Sequence, residues 1–154
     1  MVIWRGWGVL AFVYGALAMM LFAGLASTLV EEAMLPFSIA LGLASAAGAT
    51  WFTGQALNVT VPQRKIDAWY EPRANQLAEL VASGRFMMGP GQPPPASMAE
   101  AEAQSEALLE SELQAARRSR NGHTLFFIPM QYWAFIYAAV AVLVLIMGVV
   151  GSMQ

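Results

Sequence analysis

LFFIPMQYWAFIYAAVAVLVLIMGVVG, residues 125 to 151, contains no charged side chain, and no Lys, Arg, Asp or Glu follows Arg120. Within it Ala138–Met147 is unbroken apolar sequence, too long for a strand and without the polar stripe of a soluble amphipathic helix. About 20 apolar residues in helical form cross a hydrocarbon core roughly 30 Å thick, so the stretch reads as a membrane-spanning helix. Two further uncharged stretches follow the same logic. Gly6–Val30 and Ala33–Gln63 hold no charge, and Pro36 suits a helix first turn, which places the second span at about 36–57. The expected fold is all-α: three transmembrane helices plus a cytoplasmic helical loop of two helices joined by a Pro/Gly-rich linker. Residues 1–57 would form a two-helix hairpin, 58–124 the loop with its linker at 86–96, and 125–154 the third span and a short tail.

Composition agrees with this division. The chain has 154 residues, 58% hydrophobic and 12% charged, a balance foreign to soluble domains. Zero cysteines exclude disulfides, thiolate metal sites and palmitoylation. No basic stripe with interleaved aromatics exists, so nucleic acid is not an expected partner. The first apolar run has a rival reading as a signal peptide, with Gly24-Leu25-Ala26 as a small-residue cleavage site. Its length exceeds an ordinary h-region, which favours a retained helix.

Basic residues give the orientation. Arg5 precedes the first span, and Arg64, Lys65, Arg73, Arg85, Arg117, Arg118 and Arg120 fall between the second and third, whereas the first connection and the tail have none. The positive-inside rule then puts the N-terminus and the long loop in the cytoplasm and the C-terminus outside. Trp4, Arg5, Trp7, Trp51, Tyr132 and Trp133 would anchor one interface, where amphipathic rings are favoured.

Small residues recur at helical spacing. Gly8, Ala11 and Gly15 mark one face of the first span; Ser38, Gly42 and Ala46 mark one face of the second, with Ala40, Ala44 and Gly48 forming a parallel row. Such faces let helices approach closely where lipid removes the hydrophobic drive, and pairing of the first two spans is the expected use. In the loop, a helix is expected from about Pro72 to Ser83, stopped by Gly84. Ser97 and Glu100 form a capping box for a second helix running to about Arg120, acidic at its start and basic at its end. Its apolar stripe of Leu109, Leu113 and Ala116 is narrow, and a helix this lean needs a surface to lie on, here expected to be a partner.

Candidate chemistry is sparse. His123, the one histidine, has no companions for metal or proton work, and Met87-Met88 and Glu31-Glu32 read as an apolar anchor and a solvated connection. No acid or base lies within an expected span, which argues against a self-sufficient carrier or pump. No nucleophile elbow, phosphate loop, zinc motif or dinucleotide fingerprint is present. Catalytic residues, metals, cofactors and a small-molecule substrate are therefore not expected.

Two short blocks, IWRGWG (Ile3–Gly8) and HTLFFIPMQYW (His123–Trp133), resemble small, functionally uncharacterised bacterial inner-membrane proteins. The resemblance is local and implies a bacterial inner-membrane setting without any transferable site. The resulting expectation is a non-catalytic accessory subunit of a membrane complex, with lipids and other integral subunits as partners. By analogy, respiratory and photosynthetic assemblies are hosts that accumulate small helical subunits. A homo-oligomeric channel is the alternative, and a membrane enzyme using His123 ranks third.

Overall fold

The structure, a computed structural model, describes residues 3–29, 31–118 and 120–153, with the Leu25 side chain left aside. Met1 and Val2, Val30 of the first uncharged run, Ser119 of the loop helix and Gln154 of the tail lie outside the described residues. The chain divides into two compact units, residues 1–60 with 121–154 and residues 61–120.

The first unit is a helical bundle closed by a small sheet. Strand β1 (Trp4–Arg5) leads through a 3-10 turn into α1 (Val9–Ala18), a π-helical turn (Met19–Ala23) and α2 (Gly24–Leu29). Helix α3 (Leu35–Gln55) ends in a second π turn at Ala56–Thr60. Strands β2 (Thr124–Leu125) and β3 (Ile128–Pro129) then precede a 3-10 turn and α6 (Trp133–Ser152). The helical runs Gly6–Leu29, Glu32–Ala82 and Met130–Ser152 each contain a stretch long and apolar enough to cross a membrane.

Contacts at glycines fix the directions. Tyr14 meets Thr53 and Phe22 meets Gly42, so α1 and α3 run antiparallel. Gly54 lies against Gln131 and Gly148 against Pro36, so α3 and α6 are antiparallel as well. The starts of α1 and α6 and the end of α3 therefore share one end of the bundle. Gly8, Ala11, Gly15, Gly42 and Ala46 are buried; Gly42 lies against Phe22 of the first segment, whereas Gly15 makes room for the Tyr137 hydroxyl of α6 and Gly8 for the Thr124 backbone. Ser38 and Gly48 are only half-buried and Ala44 is exposed, so the parallel row on α3 breaks up within this chain. The reason is geometric: a row at strict four-residue spacing drifts around a helix of 3.6 residues per turn.

The third span starts later than expected. Residues 124–129 are not its first turns but a tight antiparallel hairpin, with β1 added on the other side of β2. Pro129 ends β3, and the helix proper opens at Trp133.

The second unit is a helical hairpin of α4 (Val61–Ala82) and α5 (Met98–Arg118). Helix α4 begins about three turns before the expected start at Pro72, which sits inside it. An internal proline forfeits a hydrogen bond and usually bends a helix, but does not always end one. Gly84, at φ +66°, stops the helix from the left-handed region. Half of the expected capping box forms on α5: the Glu100 amide donates to Ser97 Oγ at 3.2 Å, but Glu100 Oε2 accepts from the Ala96 amide at 2.8 Å, one residue before the cap.

The linker is not merely a spacer. Phe86 is 3% exposed and joins Leu77, Val81 and Ala101 in the hairpin's core, with Leu80, Leu108 and Leu109 packed around them. Leu113 is buried too and Ala116 half-buried. The stripe expected to meet an outside partner is thus largely covered by the chain itself, since α4 offers the apolar face that a lean helix requires. Arg73 closes the hairpin with a bidentate pair: Nε donates to Glu112 Oε2 at 2.8 Å and Nη2 to Oε1 at 2.7 Å.

Candidate functional site

The two sequence blocks singled out above, more than a hundred residues apart, are one structural object. Trp4 pairs with Leu125 and Arg5 with Thr124; Leu125 in turn pairs with Ile128 and Thr124 with Pro129. The Phe126 amide extends the first pairing by donating to Ile3 O at 2.7 Å, and the Met130 amide donates to His123 O at 3.0 Å. Two-residue strands have little stability of their own. They persist here because Leu125 and Met130 are buried against Ala11, Leu10, Tyr14 and Trp133.

Beneath the sheet lies a polar clasp organised by Asn58. Its side chain is fully buried. Oδ1 accepts from the His123 amide at 2.9 Å, and Nδ2 donates to His123 O at 3.0 Å and to Gln131 Oε1 at 2.7 Å. Gln131, also buried, passes the chain on through Nε2 to Asn121 Oδ1 at 2.9 Å. A buried amide costs several kcal/mol unless its donors and acceptors are met, and these are. The π turn at Ala56–Thr60 places Asn58 there; inserted π turns often aim one side chain off the regular helical face.

His123 belongs to the same clasp. The Trp7 amide donates to His123 Nδ1 at 3.0 Å, so Nδ1 carries no proton in this arrangement. Gly6, at φ +55°, lies over the imidazole, and a Cβ there would collide with Nδ1. At Gly8 a Cβ would collide with the Thr124 carbonyl, and at Gly54 it would stand 2.6 Å from Gln131 N. Three glycines thus admit backbone or ring where the helix ends converge. The ring of His123 ties the start of the first segment to the clasp by accepting from the Trp7 backbone.

Aromatic side chains surround the clasp. Trp133 Nε1 donates to Leu125 O at 3.1 Å, and Trp51 meets Phe135 edge to face with centroids 5.4 Å apart. Trp4, Arg5, Trp7 and Tyr132 are exposed, while Trp51 and Trp133 are half-buried. All six expected anchors therefore occur on the described residues, though two are committed largely to packing.

Elsewhere the chemistry is thin. Among the described residues no group of three or more His, Asp or Glu side chains could hold a metal ion. An open groove of about 450 Å³ lies along the second unit's hairpin, lined by Tyr70, Leu77, Val81, Met98, Glu102 and Leu109. The Arg73 guanidinium holds the Glu112 carboxyl below its ordinary range through their hydrogen bonds, and the same contact raises Arg73. Thr50 is fully buried in α3 with no partner for its hydroxyl among the described residues. Asn58, Asn121 and Gln131 escaped sequence reasoning; the one available signal was polar amides at the edges of apolar runs.

Comparison with protein families, curated proteins and solved structures returns no match, so function rests on the geometry of this clasp and of the helix faces around it.

Proposed function

We propose that the chain is a non-catalytic accessory subunit of a bacterial membrane protein complex, a multi-pass protein of the inner membrane. The N-terminus and the hairpin of residues 61–120 face the cytoplasm in this reading, and the C-terminus faces the periplasm. Seven of the eight basic residues supporting that orientation fall between the second and third spans.

The observation that carries the reading is the outward face of α3. Leu41, Ala44, Ser45, Ala49 and Phe52 are exposed, and Gly48 has open space where a Cβ would stand. The Ser45 hydroxyl donates to Leu41 O at 2.9 Å, so the face presents no unmet polar group. Glycine and alanine gain little against acyl chains, but they let a second helix pack at short range. Helix α5 spends its apolar stripe on α4, which leaves its exposed acidic residues, Glu110 and the groove-lining Glu102 and Glu106, as the surface the hairpin offers a partner.

Photocrosslinking from Ser45 in native membranes tests this. Adducts to unrelated integral subunits, lost in Gly48→Leu, are the expected outcome. A ladder of self-adducts together with ion flux in liposomes would instead establish the homo-oligomeric channel.

A further inference from the structure

The turn between β2 and β3 carries two phenylalanines where geometry of this kind ordinarily carries Asn-Gly. Phe126 has φ +49° and Phe127 φ +66°, the left-handed region at both central positions, which defines a type I′ hairpin turn. Bulky L-residues are strained there, and such strain persists where surrounding structure imposes it, often at functional positions. The rings are not used to fill a core. Phe127 is 70% exposed and Phe126 is 51% exposed.

What surrounds them identifies the occupant. The Phe126 ring lies 6.1 Å from Trp133, and Trp133 lies 6.3 Å from Tyr137, so one aromatic row runs from the turn onto α6. Tyr132, Phe135 and Trp51 make a second row, and Phe135 and Ile136 carry the apolar surface outward along the span. Exposed Trp4 and Trp7 stand at the start of the first span. The one charged side chain among the three strands is Arg5, of the sign that a lipid phosphate attracts. An apolar tip without hydroxyls, continuous with two apolar helices and ringed by tryptophans and an arginine, matches the layering of a bilayer interface.

We infer that the Phe126-Phe127 turn is a membrane wedge, seated at the boundary between headgroups and acyl chains and fixing the depth of the sheet and of the clasp beneath it. This rests on the membrane reading of the three apolar helices. The absence of cysteine makes the test direct. Nitroxide-labelled Phe127→Cys, Val142→Cys and Ser83→Cys proteins, each checked by circular dichroism and monodisperse elution, are reconstituted into phosphatidylcholine–phosphatidylglycerol vesicles. Collision with oxygen and with a nickel chelate is then compared.

The expected result is an oxygen-to-nickel accessibility ratio severalfold higher at 127 than at 83, approaching that at 142. If 127 is as open to nickel as 83 while 142 stays in lipid, the wedge is overturned and the membrane reading survives. Nickel access at 142 overturns both. Shielding of 127 from both reagents signifies a protein contact and also overturns the wedge. A label at Trp4→Cys supplies an independent reading in the Phe126→Asn/Phe127→Gly background, whose turn favours the same fold. It becomes more open to nickel if the rings set the depth; an unchanged ratio sinks the proposal.

Discussion

Replacing Asn58 by leucine, which has nearly the same volume, isolates the contribution of the clasp. The substitution removes one acceptor and two donated bonds from a fully buried position. His123 O still accepts from the Met130 amide, so it is not orphaned. The His123 N–H and Gln131 Oε1 are, and each unmet buried group costs about 1–3 kcal/mol. Interhelical hydrogen bonds in membrane proteins average only about 0.6 kcal/mol, because the unfolded reference also finds partners, so the lower half of that range applies. The expected loss is about 3 kcal/mol, read from reversible unfolding in mixed micelles by tryptophan emission. Gln131→Leu should cost less, since it frees only Asn58 Nδ2 and Asn121 Oδ1 from the partners seen here. In the double variant the two losses should fall short of their sum by about 1–2 kcal/mol, the coupling expected of groups in one network. A loss under about 0.5 kcal/mol for Asn58→Leu, or strict additivity, would show that the clasp is a by-product of packing.

Other outcomes follow from single contacts. Gly54→Ala places a Cβ 2.6 Å from Gln131 N and 2.7 Å from its Cα, backbone that cannot swing aside, and should destabilise the bundle by about 1–3 kcal/mol in the same assay. Gly48→Ala meets nothing within 4 Å and should stabilise the isolated chain by up to about 1 kcal/mol, the helix-propensity gain, while leaving micellar unfolding two-state. Phe86→Ala empties the hairpin core and should cost about 3–5 kcal/mol of local protection, visible as faster amide exchange at the end of α4 and the start of α5. Because Glu112 titrates below its ordinary range when folded, its contribution is present above the unfolded carboxylate pKa and is lost as pH falls through the depressed value. That loss should be about 0.5–1 kcal/mol for a partly exposed pair, and Glu112→Gln should flatten the acid limb of hairpin amide exchange.

The helices were legible and the sheet was not, for physical reasons. Long runs without charge, such as Ala138–Met147, leave few alternatives to a spanning helix, and the Ser97–Glu100 cap announces itself because both partners are local. Two-residue strands have no periodicity to read, and the partners of Trp4 and Arg5 lie some 120 positions away. Strain hid the turn as well: Phe126-Phe127 lacks every residue that ordinarily signals left-handed backbone. Asn58 looked like the polar edge of a span because a π turn, not the sequence spacing, aims it inward. Phe86 stands beside Met87-Met88 and a run of prolines, where composition reads as linker and only the tertiary core distinguishes the buried ring from its exposed neighbours.

Strand β1 pairs with β2, which follows it in sequence only after both earlier apolar segments and residues 61–120. During synthesis Ile3–Arg5 emerge long before residues 124–126 and must wait for them before their backbone groups are met. Asn58 likewise waits for His123 and Gln131. Closure of this end therefore cannot precede synthesis of residues 122–131, and a ribosome-stalled fragment ending before Gly122 should hold its first segment unpinned and open to protease, while chains that include residues 122–154 resist.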